Sequence, residues 1–340
     1  METTLIERLK ENLAGKRRAI TDWLNSTSPQ AREIRIGPQG EPAMQQELRT
    51  IDEALARAEQ DTLGVCEICH ESVEESLLEM DYTASVCITH LSGEQRERLE
   101  NELELSAKVQ QALLPHRVPE IRGMEIAAFS QPAHIVGGDY FDFLRFDDGA
   151  HAIVIADVMG KGMPASMLMA SLQASLRIIA PESRHPAEVV SRLNRLFCHN
   201  IRLTKFVSLF LGRYDEKTGV LTYCNAGHNP PLVRKETGSF ELLRPTGAAI
   251  GLAEQTEFSE GSIALHAGDR LLFYTDGVVE ARDGSGEEFG MARLESLLDE
   301  SKGITSRQIV GLLREKVGRF SGATTPADDT TFIVARMQTS

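Results

Sequence analysis

The sequence has little of several residue types that mark common protein classes. Its 340 residues include one tryptophan, five cysteines and 13 prolines, and 50 acidic residues outnumber 36 basic ones. So few prolines, together with 41% hydrophobic residues, exclude a disordered or collagen-like chain. The net charge of −14 disfavours binding to nucleic-acid phosphates, which needs a basic surface. An odd number of cysteines is not typical of a secreted disulfide framework.

Long apolar segments are also missing. No run approaches the roughly 18 residues that a membrane-spanning helix needs, and residues 1–18 lack the apolar stretch of a signal peptide. We therefore expect a cytoplasmic protein without a membrane contact. A length of 340 residues exceeds what one hydrophobic core usually serves, so the sequence predicts at least two structural units.

The first third of the chain has the apolar periodicity of helices. Apolar residues recur three or four positions apart from Leu5 to Leu24 and again from Met44 to Ala58, with turn-forming residues at 28–29 and 37–40 between them. This pattern predicts an antiparallel helical hairpin over residues 1–64.

A third helix is predicted as a linker over residues 92–115. Four apolar residues lie along one stripe of it between many charges: Leu99, Leu103, Val109 and Leu113. A stripe this narrow favours a coiled coil, and hence a homodimer. The alternative is a helix that packs on its own domain.

From residue 116 to residue 340 the pattern changes to short strands separated by Gly, Asp and Pro. Seven strands are predicted: Glu125–Ser130, Tyr140–Phe146, His151–Ala156, Phe206–Tyr214, Val220–Cys224, Arg270–Thr275 and Thr330–Arg336. Four helices are predicted: Pro164–Ala180, Pro186–Leu203, Met291–Ser301 and Thr305–Phe320. Strands in sequence followed by helices in sequence indicate an α+β domain with a mainly antiparallel sheet.

Four potential zinc ligands lie between the hairpin and the linker, in residues 65–91. Cys66 and Cys69 are separated by two residues, as are Cys87 and His90. Two such pairs can fill a tetrahedral shell and close it, which is typical of one structural Zn²⁺. His70 is an alternative to His90 as fourth ligand, and redox-active cysteines are the alternative to a metal site.

Residues 42–91 carry a family resemblance. The strings I-D-E-A-L-A-R at 51–57, G-V-C-E-I-C at 64–69 and V-C-I at 86–88 resemble the zinc-finger end of DksA/TraR proteins, with His90 in place of the usual fourth cysteine. Those proteins bind bacterial RNA polymerase. The resemblance implies a zinc finger beside helices and, as an alternative function, a transcription regulator that contacts RNA polymerase. A finger that senses metal or redox state is a further possibility.

Four aspartates share one kind of position, at the end of an apolar strand or beside glycine: Asp139, Asp157, Asp276 and Asp328. Taken singly, each is better explained as a turn or cap residue. Their common placement predicts that the side chains meet at one rim of the sheet. Converging oxygen ligands select Mg²⁺ or Mn²⁺, and two such ions about 3.5–4 Å apart need a bridging carboxylate.

Five strings follow one another between residues 136 and 331. They are V-G-G-D-Y-F-D at 136–142, A-D-V-M-G-K-G-M-P-A at 156–165, N-A-G-H-N-P-P at 225–231, Y-T-D-G-V-V-E-A at 274–281 and D-D-T-T at 328–331. In this order they resemble the motifs of SpoIIE/RsbU-type serine/threonine phosphatases, the bacterial branch of the metal-dependent PPM phosphatases. The string L-S-A-K-V-Q-Q-A-L-L-P at 105–115 resembles the helix that enters such domains. The implied fold is an α-β-β-α sandwich of two packed sheets flanked by helices.

The resemblance also implies the site residues and the reaction. Asp157 would bridge two Mn²⁺ or Mg²⁺ ions, with the Val158 carbonyl on one of them. Asp276 and Asp328 would hold the other ion, and Asp139 would ligate a metal or orient metal-bound water. Water activated by both metals would hydrolyse a phosphoserine or phosphothreonine on a bacterial regulatory protein of the anti-anti-sigma (STAS) type. The N-terminal zinc-finger module would regulate this activity.

Three further residues of these strings are candidates for regulatory or substrate-side roles: Lys161, His228 and Asp329. Asp329 is the alternative to Asp328, because neighbouring side chains of an extended chain point to opposite faces and only one can reach the site. His228 could assist catalysis or hold the turn before the prolines by a hydrogen bond. Lys161 is expected to open a helix that bears on the metal site. The general acid is not assigned.

Overall fold

The computed structural model describes residues 3–27, 40–74, 77–78, 81–200, 206–322 and 326–338. The contacts divide the chain into two compact units, Met1–Glu102 and Leu103–Ser340. The predicted turns at 28–29 and 37–39, and the end of the helix predicted to reach Leu203, lie outside the described residues. The division into a hairpin, finger, linker and large domain stays a prediction. None of the described helices is both long enough and apolar enough to span a membrane.

The first unit has two long helices, α1 (Thr3–Ser26) and α2 (Gly40–Glu59), and a 3₁₀ turn at Ile88–His90. Both helices contribute to one core with the cysteine-rich segment: Leu9, Leu13, Ile51, Ala54, Ala58, Leu63, Cys66, Val73, Leu77, Leu78 and Cys87. The ion pairs between α1 and α2 are exposed, so burial of this shared apolar surface is the main stabilising contribution.

The predicted linker helix is present as α3 (Gly93–Leu113). Its start is fixed by a reciprocal pair, in which the Gln95 amide donates to Ser92 Oγ and the Ser92 amide donates to Gln95 Oε1. The residues of the predicted apolar stripe have different environments. Leu99 packs against the core of the first unit, whereas Val109 is 56% exposed and Leu105, one turn earlier, is 63% exposed.

The second unit contains ten strands among its described residues. They are β1 (Met124–Gln131), β2 (Tyr140–Arg145), β3 (His151–Val158), β4 (Val207–Asp215), β5 (Val220–Ala226), β6 (Leu232–Arg234), β7 (Phe240–Leu242), β8 (Gly261–Ala264), β9 (Arg270–Tyr274) and β10 (Thr330–Met337). The helices are α4 (Gly162–Ile179), α5 (Pro186–Asn200), α6 (Asp276–Val279), α7 (Gly290–Glu300) and α8 (Ser306–Phe320), with a 3₁₀ turn at Ala180–Glu182.

These strands form two five-stranded sheets. The first sheet has the order β1-β10-β9-β6-β7 and the second has the order β2-β3-β4-β5-β8. All strand pairings within them are antiparallel. The predicted α+β class with mainly antiparallel sheets is therefore confirmed.

The central strands are buried on both faces. In β3, Ile153 and Ile155 point into the core between the sheets, whereas Val154 points to the helices on the other side. In β10, Ile333 and Val334 divide in the same way between the two cores. Alternate residues of a strand face opposite sides, so these strands read as continuous apolar runs.

Helices cover the outer face of each sheet. On the second sheet, α4 and α5 contribute Met169, Leu172, Leu176, Val190 and Leu193. On the first sheet, α7 and α8 contribute Leu294, Leu297, Ile309 and Leu313. The four layers are therefore helix, sheet, sheet and helix, as the family resemblance implied.

The sequence did not predict β6, β7, β8 or α6. Each has only three or four residues. A segment this short gives too few alternations for a periodic signal, and its structure depends on pairing with distant strands. The seven predicted strands and four predicted helices all correspond to elements of the fold.

The core between the sheets is sensitive to the loss of an aromatic ring at its centre. Phe210 is fully buried, and its ring centroid lies 5.4 Å from that of Phe273 in the opposite sheet. We expect Phe210→Ala to lower the free energy of unfolding by about 3–5 kcal/mol, because it leaves a cavity. Calorimetry of the full chain measures this. Met167 is 68% exposed, and Met167→Ala should change the stability by no more than about 0.5 kcal/mol; equal losses in both variants would contradict the assignment of this core.

Candidate active site and metal centre

The predicted aspartates lie at the ends of strands in both sheets. Asp139 directly precedes β2 and Asp157 is the penultimate residue of β3, and the pairing of Tyr140 with Ala156 makes the two ends neighbours. In the other sheet, Asp276 follows β9 and Asp328 precedes β10. These two strands are also antiparallel neighbours. Each sheet thus contributes two aspartates from one end of a strand pair.

Thr275 connects the two sheets at this edge. Its hydroxyl donates to Asp139 Oδ2 at 2.8 Å and accepts from the Thr331 amide at 3.0 Å. The Thr275 side chain is fully buried, so these hydrogen bonds are shielded from water. Thr275 had no predicted role. The available signal was a polar residue between the apolar run Leu271–Tyr274 and Asp276.

Asp328 and Asp329 have different surroundings, although they are adjacent. Asp329 is buried, and its carboxylate accepts hydrogen bonds from the amides of Ala133 at 2.8 Å and Gly138 at 2.6 Å. Asp328 is partly exposed, and its Oδ2 lies 3.0 Å from Lys161 Nζ. The two side chains therefore point to different places, as the sequence predicts for neighbours in extended chain. Asp329 organises the loop before β2, and Asp328 faces the other aspartates.

Lys161 precedes the first turn of α4, as expected. Its ammonium group donates to the Ala327 carbonyl at 2.6 Å in addition to its pairing with Asp328. Gly160 and Gly162 have φ angles of 103° and 70°, which a side chain would disfavour. The two glycines thus turn the chain sharply on either side of the lysine and direct it across the edge of the sheets.

The carboxylates at this edge raise one another's pKa values. Burial raises the pKa of Asp157 to about 7, helped by the charges of Asp276 and Asp328. Burial also raises the pKa of Asp139, with the charge of Asp157 as the next cause. Burial and the charge of Asp328 raise the pKa of Asp276. A crowded set of carboxylates that resists ionisation fits hard divalent cations, which favour the charged form.

The spacing of these carboxylates is looser than that of a single closed ligand shell. In the described part of the chain, no three of them have oxygen atoms all within 4.8 Å of one another. Val158 is buried at the end of β3, and a Cβ atom at Gly138 would come within 2.7 Å of its carbonyl oxygen. Glycine at 138 thus permits the loop that carries Asp139 to approach this carbonyl closely.

His228 lies beneath the edge as a buried, neutral residue. Its Nδ1 is 2.8 Å from Ser208 Oγ, and its amide donates to Asn225 Oδ1 at 2.8 Å. Ser208 pairs with Asp157 across β3 and β4. Burial lowers the pKa of His228 to about 3. These contacts are those of a residue that fixes the turn after β5, the second of the two roles considered from the sequence.

The first unit contains a second candidate metal centre. Cys66, Cys69, Cys87 and His90 are the one set among the described residues whose potential ligand atoms all lie within 4.8 Å of one another. Cys69 Sγ and Cys87 Sγ are 3.8 Å apart, and His90 Nδ1 is 3.8 Å from Cys66 Sγ. Two sulfurs of a tetrahedral zinc site with bonds of about 2.3 Å are separated by about 3.8 Å. His70 is not part of this set.

Two of the three thiols in this cluster have lowered pKa values, whereas burial raises the pKa of Cys69 in spite of a hydrogen bond from the Glu71 amide. A hydrogen bond from the Thr89 hydroxyl lowers the pKa of the Cys87 thiol. Burial acts to raise the pKa of the Cys66 thiol, but the amides of Cys69 and Cys87 lower it overall. Thiolates are the form that ligates zinc, so the cluster fits that metal.

Known proteins resemble the second unit. RsbU of Bacillus subtilis (strain 168), named a phosphoserine phosphatase, is 32% identical over 197 residues, which is 58% of this chain and 58% of RsbU. The solved RsbU and RsbW domains of Rv1364c from Mycobacterium tuberculosis are 29% identical, with a TM-score of 0.55 over 66% of this chain and 63% of that one. The SiaA-PP2C domain of Pseudomonas aeruginosa matches in fold, with a TM-score of 0.65 at 19% identity over 72% of this chain and 98% of that one.

A family model also matches most of the second unit. The family model described as stage II sporulation protein E (SpoIIE) matches residues 147–338, which include Asp157, Asp276 and Asp328. The chain spans less than two thirds of the length of RsbU. The matched residues make up more than half of this chain and contain strands of both sheets. The chain therefore belongs to the SpoIIE family.

Proposed function

We propose that the second unit is a metal-dependent phosphatase that hydrolyses phosphoserine or phosphothreonine on a protein. The observation that carries this proposal is the group of carboxylates at the edge where the two sheets meet, with the pKa of Asp157 raised to about 7 and the pKa of Asp139 also raised. Carboxylates arranged in this way are costly to keep ionised unless cations are bound. Membership of the SpoIIE family supports the same activity.

The chain's own residues would hold two Mn²⁺ or Mg²⁺ ions. Asp157 would bridge them, the Val158 carbonyl would contact one, and Asp276 and Asp328 would hold the other, with Asp139 as a further ligand or as the group that orients water. Such a pair of ions supplies an activated water and stabilises the charge that develops on the phosphoryl oxygens. Asp139 is kept in place by the Thr275 hydroxyl. The general acid remains unassigned.

The substrate we propose is a phosphorylated regulatory protein of the anti-anti-sigma (STAS) type. The support is the order of the five motifs and the identity with RsbU, which is named a phosphoserine phosphatase. Contact with RNA polymerase stays an implication of the DksA/TraR resemblance, with no observation on the described residues that favours it. The cytoplasmic location expected from the sequence also stays a prediction.

The first unit is proposed to bind one structural Zn²⁺ through Cys66, Cys69, Cys87 and His90. Support comes from the mutual distances of the four ligand atoms and from the lowered pKa of the Cys87 thiol. We propose that this module regulates the phosphatase. If the finger senses metal or redox state, phosphatase activity changes when the zinc is removed. If the finger is purely structural, the activity does not change.

A homodimer is proposed through α3. The exposed apolar residues Leu105, Val109 and Ala112 follow one another at helical spacing on this helix. Val109 belongs to the stripe predicted from the sequence. Leu105, and not the predicted Leu99 and Leu103, is the exposed apolar residue on the N-terminal side of Val109. An apolar stripe of this width is typical of a coiled-coil seam.

The aspartates provide the first test of the proposed activity. We expect Mn²⁺-dependent hydrolysis of p-nitrophenyl phosphate and of a phosphoserine peptide to fall by about a thousandfold in Asp157→Asn and in Asp276→Asn. Loss of a cation would remove several kcal/mol of transition-state stabilisation, and each 1.4 kcal/mol corresponds to about tenfold in rate. Asp283→Asn is the matched control, since the Asp283 carboxylate accepts hydrogen bonds from Ser285 and is not one of the proposed ligands. Activity of the full chain that is equal in wild type, Asp157→Asn and Asp276→Asn would overturn the proposed function.

The zinc proposal predicts the metal content of purified protein. The full chain should contain one zinc per molecule by elemental analysis, and Cys87→Ser should lose it, because the variant leaves three ligands. Cys198→Ser provides the control, since Cys198 lies in α5 and contacts Asn194 rather than the cluster. Equal zinc content in both variants would contradict the ligand assignment.

The dimer proposal predicts a change in sedimentation. Val109→Glu should convert a dimer into a monomer in analytical ultracentrifugation, because burying a charge at the seam is unfavourable. Ile178→Glu is the control, since Ile178 is an equally exposed apolar residue on α4 (65% exposed). A wild-type chain that is already monomeric at high concentration would rule out the proposed interface.

A further inference from the structure

Gln110 on α3 makes two hydrogen bonds to a single residue of the active-site loop. Its Nε2 donates to the Gly137 carbonyl at 2.6 Å, and its Oε1 accepts from the Gly137 amide at 3.0 Å. Both bonds are partly buried. A side-chain amide that satisfies the donor and the acceptor of one backbone residue fixes the position and the orientation of that peptide segment.

The last turn of α3, which carries Gln110, is itself anchored within the second unit. Gln173 of α4 donates to the Leu113 carbonyl at 3.2 Å, and Gln173 is buried. Leu114 packs against both the core between the sheets and the core beneath α4 and α5. The backbone of Gln110 is therefore held in a fixed position relative to both sheets.

The loop that Gln110 holds carries Asp139 and borders Val158. Asp329 caps the amide of Gly138, and Gln110 caps Gly137, so consecutive backbone groups are held from two distant parts of the sequence. A Cβ atom at Gly137 would lie 2.3 Å from Asp329 Oδ2, which shows how closely the loop is held. A shift of Gly137 would therefore be passed on to Asp139 and to the contact between Gly138 and the Val158 carbonyl.

We propose that Gln110 is a positioning residue of the active site, which aligns Asp139 and the Val158 carbonyl for cation binding through the Gly137 peptide. This inference rests on the proposed function. Gln110 touches neither the cations nor the substrate. Instead, Gln110 orients the loop that carries Asp139. Loss of a residue that orients metal ligands in this way typically weakens metal affinity or activity by about 10- to 100-fold.

The test compares Gln110→Met, Gln110→Glu and Gln111→Met in the full chain. Methionine has a similar shape to glutamine and removes both hydrogen bonds, while glutamate keeps the acceptor for the Gly137 amide. Gln111→Met is the control, since Gln111 is exposed on the same helix. The readouts are Mn²⁺ affinity by calorimetry, hydrogen exchange of the segment 133–141 by mass spectrometry, thermal stability, and hydrolysis of p-nitrophenyl phosphate.

We expect Gln110→Met to weaken Mn²⁺ binding by about tenfold or more and to speed exchange in 133–141, with Gln110→Glu intermediate and Gln111→Met unchanged. Unaltered Mn²⁺ affinity and exchange in Gln110→Met would overturn the inference. So would a variant that loses thermal stability without a selective change in 133–141, because that result indicates a general structural role. A wild-type chain that binds Mn²⁺ but hydrolyses nothing would count against the proposed phosphatase, while the affinity and exchange data would still decide the role of Gln110.

Discussion

The second unit is organised around one constraint, the crowding of carboxylates at the edge where its two sheets meet. Burial raises the pKa values of Asp139, Asp157 and Asp276, and repulsion between the neighbouring carboxylates raises them further. A flexible edge would relieve it by spreading the side chains apart. Here the backbone segments that carry them are held by strand pairing, by the Thr275 hydroxyl and by the amides that Asp329 accepts from. In the proposed function, cations bound at this edge would relieve the repulsion that the fixed backbone retains.

The rigidity of that edge follows from burial on both faces of the central strands. β3 and β10 each contribute alternate side chains to two different cores, so a shift by one residue would exchange the side chains that fill them and disrupt the packing of both. The pairing register is therefore strongly specified for β3, where Asp157 is the penultimate residue, and for β10, which Asp328 precedes. The aspartates lie at the edge of this packed region, so their backbone positions are fixed by its order.

The sequence was informative where a signal is local and repeated. The long strands and helices were predictable because their apolar patterns extend over many residues, and the aspartates because they share a setting at strand ends. The strands β6, β7 and β8 escaped prediction because three or four residues carry no period. Thr275 and Gln110 escaped it for a different reason. Their roles depend on partners 136 and 27 residues away, and only the tertiary structure brings these together.

The two candidate metal centres differ in the atoms that would bind the metal. This difference affects which metal each centre of the same chain would take up. Divalent zinc binds most ligand sets more tightly than Mg²⁺ or Mn²⁺, so an all-oxygen site does not by itself exclude zinc. The first unit offers three thiols and an imidazole within 4.8 Å of one another, whereas the carboxylates of the second unit are spaced more widely. Soft ligands at close range capture zinc, and the looser oxygen site accepts ions that keep several water ligands. If both sites bind metal as proposed, the separation of sulfur from oxygen donors into different units would give each site its own selectivity.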